Sequence, residues 1–271
     1  MNIGDSQLKI GKKISYFFLL VLSQFIFIAV IFIWILKISP EDLINDKISQ
    51  NIKKIYFSFM YICLLVNLKL FSDQPYQRIF NLENKIVNTL KGLLTGLSGI
   101  IIYYIVLTYL GYFDFVDDNL NLSLVFQIIT ISFFIAFLEE MIFRDFILRL
   151  LLKKYTINHS LIIAAYIYAQ LHFLRFNLHF YQIIIPLISL LMVGIILGKT
   201  YLSKNIFNSI GIHWGWIICI SYINQSQILK VSQNILLTGG LYPPSGLFSG
   251  LILLLVVLTM KKDLRTKSPK A

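Results

Sequence analysis

Apolar positions in this chain fall into long runs, broken by short clusters of charge. The run from Leu124 to Leu138 carries no charged residue at all. Neither a period of two nor a sparse amphipathic stripe describes these stretches; they are apolar all round, as helices in lipid are. Eight of them predict membrane spans, at about 15–37, 54–71, 92–112, 123–143, 160–175, 183–202, 205–224 and 246–260. Most approach the ~20 residues that a helix needs to cross a bilayer. Lys69 weakens the second. The fifth and seventh are short and carry His and Tyr, so those groups must turn toward protein rather than lipid. The expected fold is all-α: a polytopic membrane protein of about eight transmembrane helices. The segment Ser72 to Lys91 mixes polar and apolar residues, which fits either an amphipathic helix on the membrane face or a polar loop.

Composition agrees with the pattern. The chain is 57% hydrophobic and 14% charged, with a mean hydropathy of +0.76; soluble domains carry about 25% charged residues. The formal net charge of +11 raises nucleic-acid binding as a function. The placement of the charge argues against it: Lys and Arg sit in short loops and at the C-terminus, not on a folded basic face. Lys9, Lys12 and Lys13 precede the first span, Arg149, Lys153 and Lys154 follow the fourth, and Lys261, Lys262, Arg265, Lys267 and Lys270 follow the last. This alternation predicts a multi-pass protein of the cell membrane with both termini cytoplasmic. The first apolar run is too long for a cleaved leader and reads as a retained span. Cys63 and Cys219 lie inside spans, without metal-ligand spacing, and read as small buried residues.

Three polar clusters interrupt the second half of the chain. They are Glu139-Glu140-x-x-x-Arg144, Tyr168-x-x-x-His172 and His213-Trp214-Gly215-Trp216. A carboxylate at the centre of a membrane helix costs about 2.5 kcal/mol or more, so a pair of them marks a functional site. On a helix, Glu140 and Arg144 share a face at i,i+4, while Glu139 points about 100° away. One carboxylate can then be held by the guanidinium while the other faces a cavity. Counted from the cytoplasmic ends of their spans at 1.5 Å per residue, Glu139 lies ~20 Å in, His172 ~18 Å and His213 ~12 Å. These comparable depths predict one shared site facing the cytoplasm. Trp214 and Trp216 read as packing or interface aromatics, and His159 and His179 are given no role.

The three motifs, in successive membrane helices, resemble those of the CPBP intramembrane proteases, the group that includes the type II CAAX prenyl endopeptidases and Abi-like proteins. The likeness covers about 123–225, which sets an expected core between N-terminal helices (1–122) and a last helix with a basic tail (226–271), all one integral domain. It implies an intramembrane endopeptidase that cleaves near the cytoplasmic face. Glu139 matches the carboxylate that activates water, with Glu140 and Arg144 as support and His172 and His213 as the histidines. Tyr168 stands where the family usually has Phe. The family is described both as metal-dependent, in which case Glu139, His172 and His213 could hold zinc, and as a metal-free glutamate protease. The expected partners are the bilayer and a protein or peptide substrate, including membrane-anchored ones, with no nucleic acid.

Two departures stand beside the likeness. The family places Asn or Asp four residues after the last histidine, and here that position is Ile217. In Thr238-Gly-Gly-Leu-Tyr-Pro-Pro-Ser-Gly246, Pro243 and Ser245 stand where some bacterial members have Gly and Glu. Two other functions stay open. One is a catalytically impaired member that acts in bacteriocin immunity or as a membrane binding protein. The other is a proton-coupled transporter with the Glu and His groups as a relay, although no inverted repeat is visible.

Overall fold

The computed structural model describes residues 3–36, 50–71, 83–116, 121–173, 181–231, 235–239 and 246–260. It is mainly helical, as the apolar runs predict. The helices are α1 (Ile3–Leu36), α2 (Gln50–Phe71), α3 (Lys85–Tyr109), α4 (Leu122–Leu152), α5 (Ile157–Phe173), α6 (Tyr181–Ser203), α7 (Ile206–Ser226) and α8 (Leu247–Thr259). Segments of α1, α3, α4, α6 and α7 are long and apolar enough to cross a membrane, and part of α2 and all of α8 form shorter apolar helices. The protein is therefore a polytopic helical membrane protein. Two compact units divide it, Met1–Asn81 and Leu82–Ala271.

In the first unit α1 packs on α2. Asn67, fully buried, exchanges amide hydrogen bonds with Gln24: Asn67 Nδ2 donates to Gln24 Oε1 at 2.6 Å, and Gln24 Nε2 donates back at 3.4 Å. Reciprocal amides of this kind hold apolar helices together where lipid offers no hydrophobic contrast.

The second unit is built around α3 and α7, its most extensively packed pair. Both helices carry glycines four apart, Gly92 and Gly96 on α3 and Gly211 and Gly215 on α7. The two glycine pairs face each other. A Cβ at Gly92 would overlap the carbonyl of Asn208, one at Gly211 would overlap that of Thr89, and one at Gly215 would come within 2.8 Å of Leu93 O. Contacts advance along both helices together, so they run parallel with backbones nearly touching, a small-residue interface as membrane helices use. α4 runs antiparallel to α7: Trp214 Nε1 donates to Ile129 O at 3.0 Å, and Glu140 meets Ser209 lower down. Trp214 also packs edge-on against Phe133, which is the packing role expected of it.

Because α3 and α7 are parallel, their exits lie at one end. The chain turns there at Gly111, whose φ of 78° favours glycine. Phe113–Phe115 (β1) then pairs antiparallel with Leu229–Val231 (β2), with Asp114 opposite Lys230. Tyr103, Tyr104, Phe113, Ile223 and Leu229 form an apolar cluster beneath this ribbon, and Tyr103 donates its hydroxyl proton to Thr238 O at 2.9 Å.

Three readings of the sequence need correction. α3 begins at Lys85, not near 92, so the stretch to Lys91 is the start of a membrane helix; the rest of the proposed amphipathic piece, to residue 82, lies outside the described residues, as do His179, Pro243 and Ser245. Arg149 is no loop charge. It lies in α4, bonded to Asp145 and, at 3.4 Å, to Tyr201 Oη. Finally, α4 is not α-helical throughout: Met141–Leu148 is π-helical, and all of these residues are buried.

The glycine interface makes a direct prediction. Gly211→Ala forces a Cβ into the Thr89 carbonyl and lowers the melting temperature in detergent, since overpacking costs about 1–3 kcal/mol. Gly99→Ala, whose Cβ would meet nothing within 4 Å, leaves it unchanged. Equal melting of the two variants would refute close α3–α7 contact.

Candidate active site

The π-helical segment opens directly after the carboxylate pair. A π turn widens the helix and is often found at functional sites. Here it lies in the middle of the bundle, with Glu140, Arg144 and Asp145 all turned inside. A buried carboxylate needs partners for its lone pairs, and Glu140, with no exposure at all, has three. Arg144 Nη1 approaches Oε1 at 3.1 Å. His213 Nδ1 approaches the same oxygen at 3.0 Å, and the Ser209 hydroxyl donates to Oε2. Ser209 and His213 are one turn apart on α7, so one helix face supplies two of these partners. Asn205 starts that helix by accepting from Asn208 N at 3.1 Å, an N-cap.

Arg144 is likewise buried. Its Cζ lies 4.8 Å from the centroid of the Tyr168 ring and 5.8 Å from that of Phe143, so aromatic faces screen the charge that water does not. The Tyr168 ring also packs, tilted, against His172 with centroids 4.2 Å apart, and the Tyr168 carbonyl lies 2.9 Å from His172 Nδ1. Tyr168 thus meets the site through its ring and its backbone carbonyl.

Glu139 faces the other way, as the 100° offset predicts. Its Oε2 lies 3.3 Å from His172 Nε2 and 3.7 Å from His213 Nε2. The structure therefore brings Glu139, Glu140, Arg144, His172 and His213 into one cluster. The partners of the two rings fix their tautomers. A carbonyl only accepts, so His172 Nδ1 carries a proton toward Tyr168 O. Glu140, an ionised carboxylate beside Arg144, also only accepts, so His213 Nδ1 carries a proton toward it. In their neutral forms both rings then turn a bare Nε2 lone pair toward the Glu139 carboxylate. Three lone pairs meeting at one point repel each other unless a positive charge sits among them.

The site opens into a cavity of about 440 Å³, lined by Glu139, His172, His213 and Ile217 among apolar residues of α3, α6 and α8. Ile217 lies on the wall where the family pattern would put an amide or carboxylate. Ser209 escaped the sequence reading, although its place one turn before His213 on the same face was a usable signal. His159, at the exposed start of α5, pairs with Thr156 and takes no part.

Comparison with known proteins agrees with the motifs. Residues 121–219 match the model of a family described as Rce1-like, type II CAAX prenyl endopeptidase Rce1-like. That segment, a little over a third of the chain, holds all three motifs. No curated protein and no solved structure matches the chain.

The three-way grip on Glu140 predicts a graded response. Ser209→Ala removes one donor from a buried carboxylate and should destabilise the protein by about 1–3 kcal/mol, read as a lower melting temperature. Ser209→Thr, which keeps the hydroxyl, should recover most of the loss. A Thr variant no better than Ala would show that the hydroxyl contributes nothing.

Proposed function

We propose that this membrane protein is an intramembrane endopeptidase in which Glu139 activates water. The observation that carries the reading is the division of the carboxylate pair: Glu140 is saturated by Arg144, Ser209 and His213, while Glu139 lines the cavity between two imidazoles. The positive charge required among the three lone pairs is assigned to protons on the imidazoles. Glu139 then takes a proton from water, and the hydroxide adds to the peptide carbonyl. The oxygen becomes an oxyanion facing the Nε2–H of His213, whose charge is balanced at Nδ1 by Glu140. Collapse breaks the C–N bond, and the proton held by Glu139 goes to the departing amine. Water and peptide yield carboxylic acid and amine, which settle as carboxylate and ammonium, and Glu139 is regenerated. Glu140 plays toward His213 the part an orienting carboxylate plays in a triad.

Zinc is the other occupant this donor set suits. Glu139, His172 and His213 would hold it, and it would supply Lewis-acid activation of water. As they stand, no three such side chains among the described residues are arranged to hold a metal ion, so the steps above use the side chains alone.

With a membrane-tethered peptide as substrate, Glu139→Gln should lower cleavage by at least 10²-fold, on the order of a general base's contribution, while the melting temperature stays within a few degrees. Undiminished cleavage sinks the mechanism, and ion flux lost on the same substitution would favour the transporter. Activity that survives a chelator supports the proton assignment; stoichiometric zinc lost in Glu139→Gln replaces it with the metal.

Ile217→Asn restores a polar donor to the cavity wall. It should raise kcat, by up to about 10²-fold if it serves the oxyanion. An unchanged or lower kcat would argue that the wall is adapted to isoleucine.

A further inference from the structure

The cavity lies to one side of the carboxylates. On α7 its lining residues run from His213 to Asn224, and none precedes His213; on α4 they are Ile135 and Glu139, and none follows Glu139. Given the directions of these helices, both limits point the same way, toward the end of the bundle closed by the β1–β2 ribbon. On the opposite side of the site the packing is solid: Ile147, Leu148, Leu197, Ile206 and Ile210 are 2% exposed or less.

The two ends also differ in charge. The solid end carries Lys85, Lys91, Lys153, Lys154 and Lys204. At the ribbon end Lys230 is paired across the strands with Asp114. Basic loops mark the cytoplasmic side. The cavity therefore extends away from it, opposite to the cytoplasm-facing site that depth counting suggested.

Farther along α7 from the carboxylates, Ser221 and exposed Asn224 follow Ile217 in the lining. Neither side chain has a hydrogen-bond partner among the described residues. The remaining walls, Val193, Ile220 and Leu253 among them, are mostly apolar. An extended apolar peptide fits this lining: its side chains meet the apolar walls, and its main-chain amides need the donors and acceptors that Ser221 and Asn224 offer.

From this we infer that the substrate is an apolar peptide segment that reaches Glu139 from the non-cytoplasmic, ribbon end, hydrogen-bonded along α7 by Ser221 and Asn224. The inference rests on the peptidase reading for its ligand but not for its direction. Direction is read by labelling with a membrane-impermeant maleimide, in a background where Cys63 and Cys219 are Ser. Asn224→Cys, or Ser221→Cys should the first fail to fold, labels on intact cells; Lys154→Cys labels only in inside-out vesicles. Labelling of Asn224→Cys and Ser221→Cys only in inside-out vesicles overturns the proposal. Adding Glu139→Gln to the labelled variants leaves the pattern unchanged, so loss of cleavage and loss of this access route are told apart. For the ligand, Asn224→Ala raises KM about 2–10-fold, the worth of one hydrogen bond, with kcat within twofold. A fall in kcat at unchanged KM would remove Asn224 from substrate binding.

Discussion

A carboxylate without water must be answered by its surroundings, and the second unit is organised around that demand at Glu140. The guanidinium of Arg144 supplies charge from the same helix, while the hydroxyl of Ser209 and the imidazole of His213 come from α7. Removing one partner of a buried charge leaves the rest uncompensated, which is far more costly than the pair is worth when intact. Hence α4 and α7 are tied at one level, and His213 is turned so that its second nitrogen looks at Glu139. The arrangement around Glu139 is thus a by-product of satisfying Glu140.

That tie requires α7 to be held in register, and the glycines do this. Facing Gly92 and Gly96 against Gly211 and Gly215 lets the α3 and α7 backbones touch, and His213 lies between the two α7 glycines. A residue with a Cβ at Gly211 would push the helix outward and carry His213 with it. Shape and charge thus act on the same few residues: van der Waals contact sets the position of α7, and the Glu140 hydrogen bonds set its rotation. The aromatic face of Tyr168 completes the arrangement by bringing Arg144 and His172 onto one ring.

Much of this was legible in the sequence. Uncharged runs near bilayer length predict helices because lipid permits little else, and a Glu pair inside such a run announces a site by its cost. The 100° offset between neighbours separates Glu139 from Glu140 correctly. What was not legible depends on partners far along the chain. Ser209 looks like any small polar residue until Glu140 lies against it. The glycine spacing is visible on each helix, but nothing local says that the two sets face each other. The π turn arises where α4 is enclosed on all sides, a tertiary condition with no local signature. The start of α3 was misplaced because Lys85 and Lys91 lower its hydropathy, although charges at a helix end can reach the interface without breaking the helix.

Depth and direction are separate properties of a membrane site, and only the first follows from counting residues. Counting along α4, α5 and α7 from a common end placed three polar groups near one level, and the distances among Glu139, His172 and His213 agree. Counting carries no information about which neighbours are large. Below the site the enclosed π segment packs on α5 and α6, with Ile147 and Leu148 fully buried; above it α7 presents Ile217, Ser221 and Asn224 to open volume. The side of a bilayer from which such a site is reached is therefore decided by packing density, not by its distance from either surface. A site nearer one membrane face by residue count can still be served from the other.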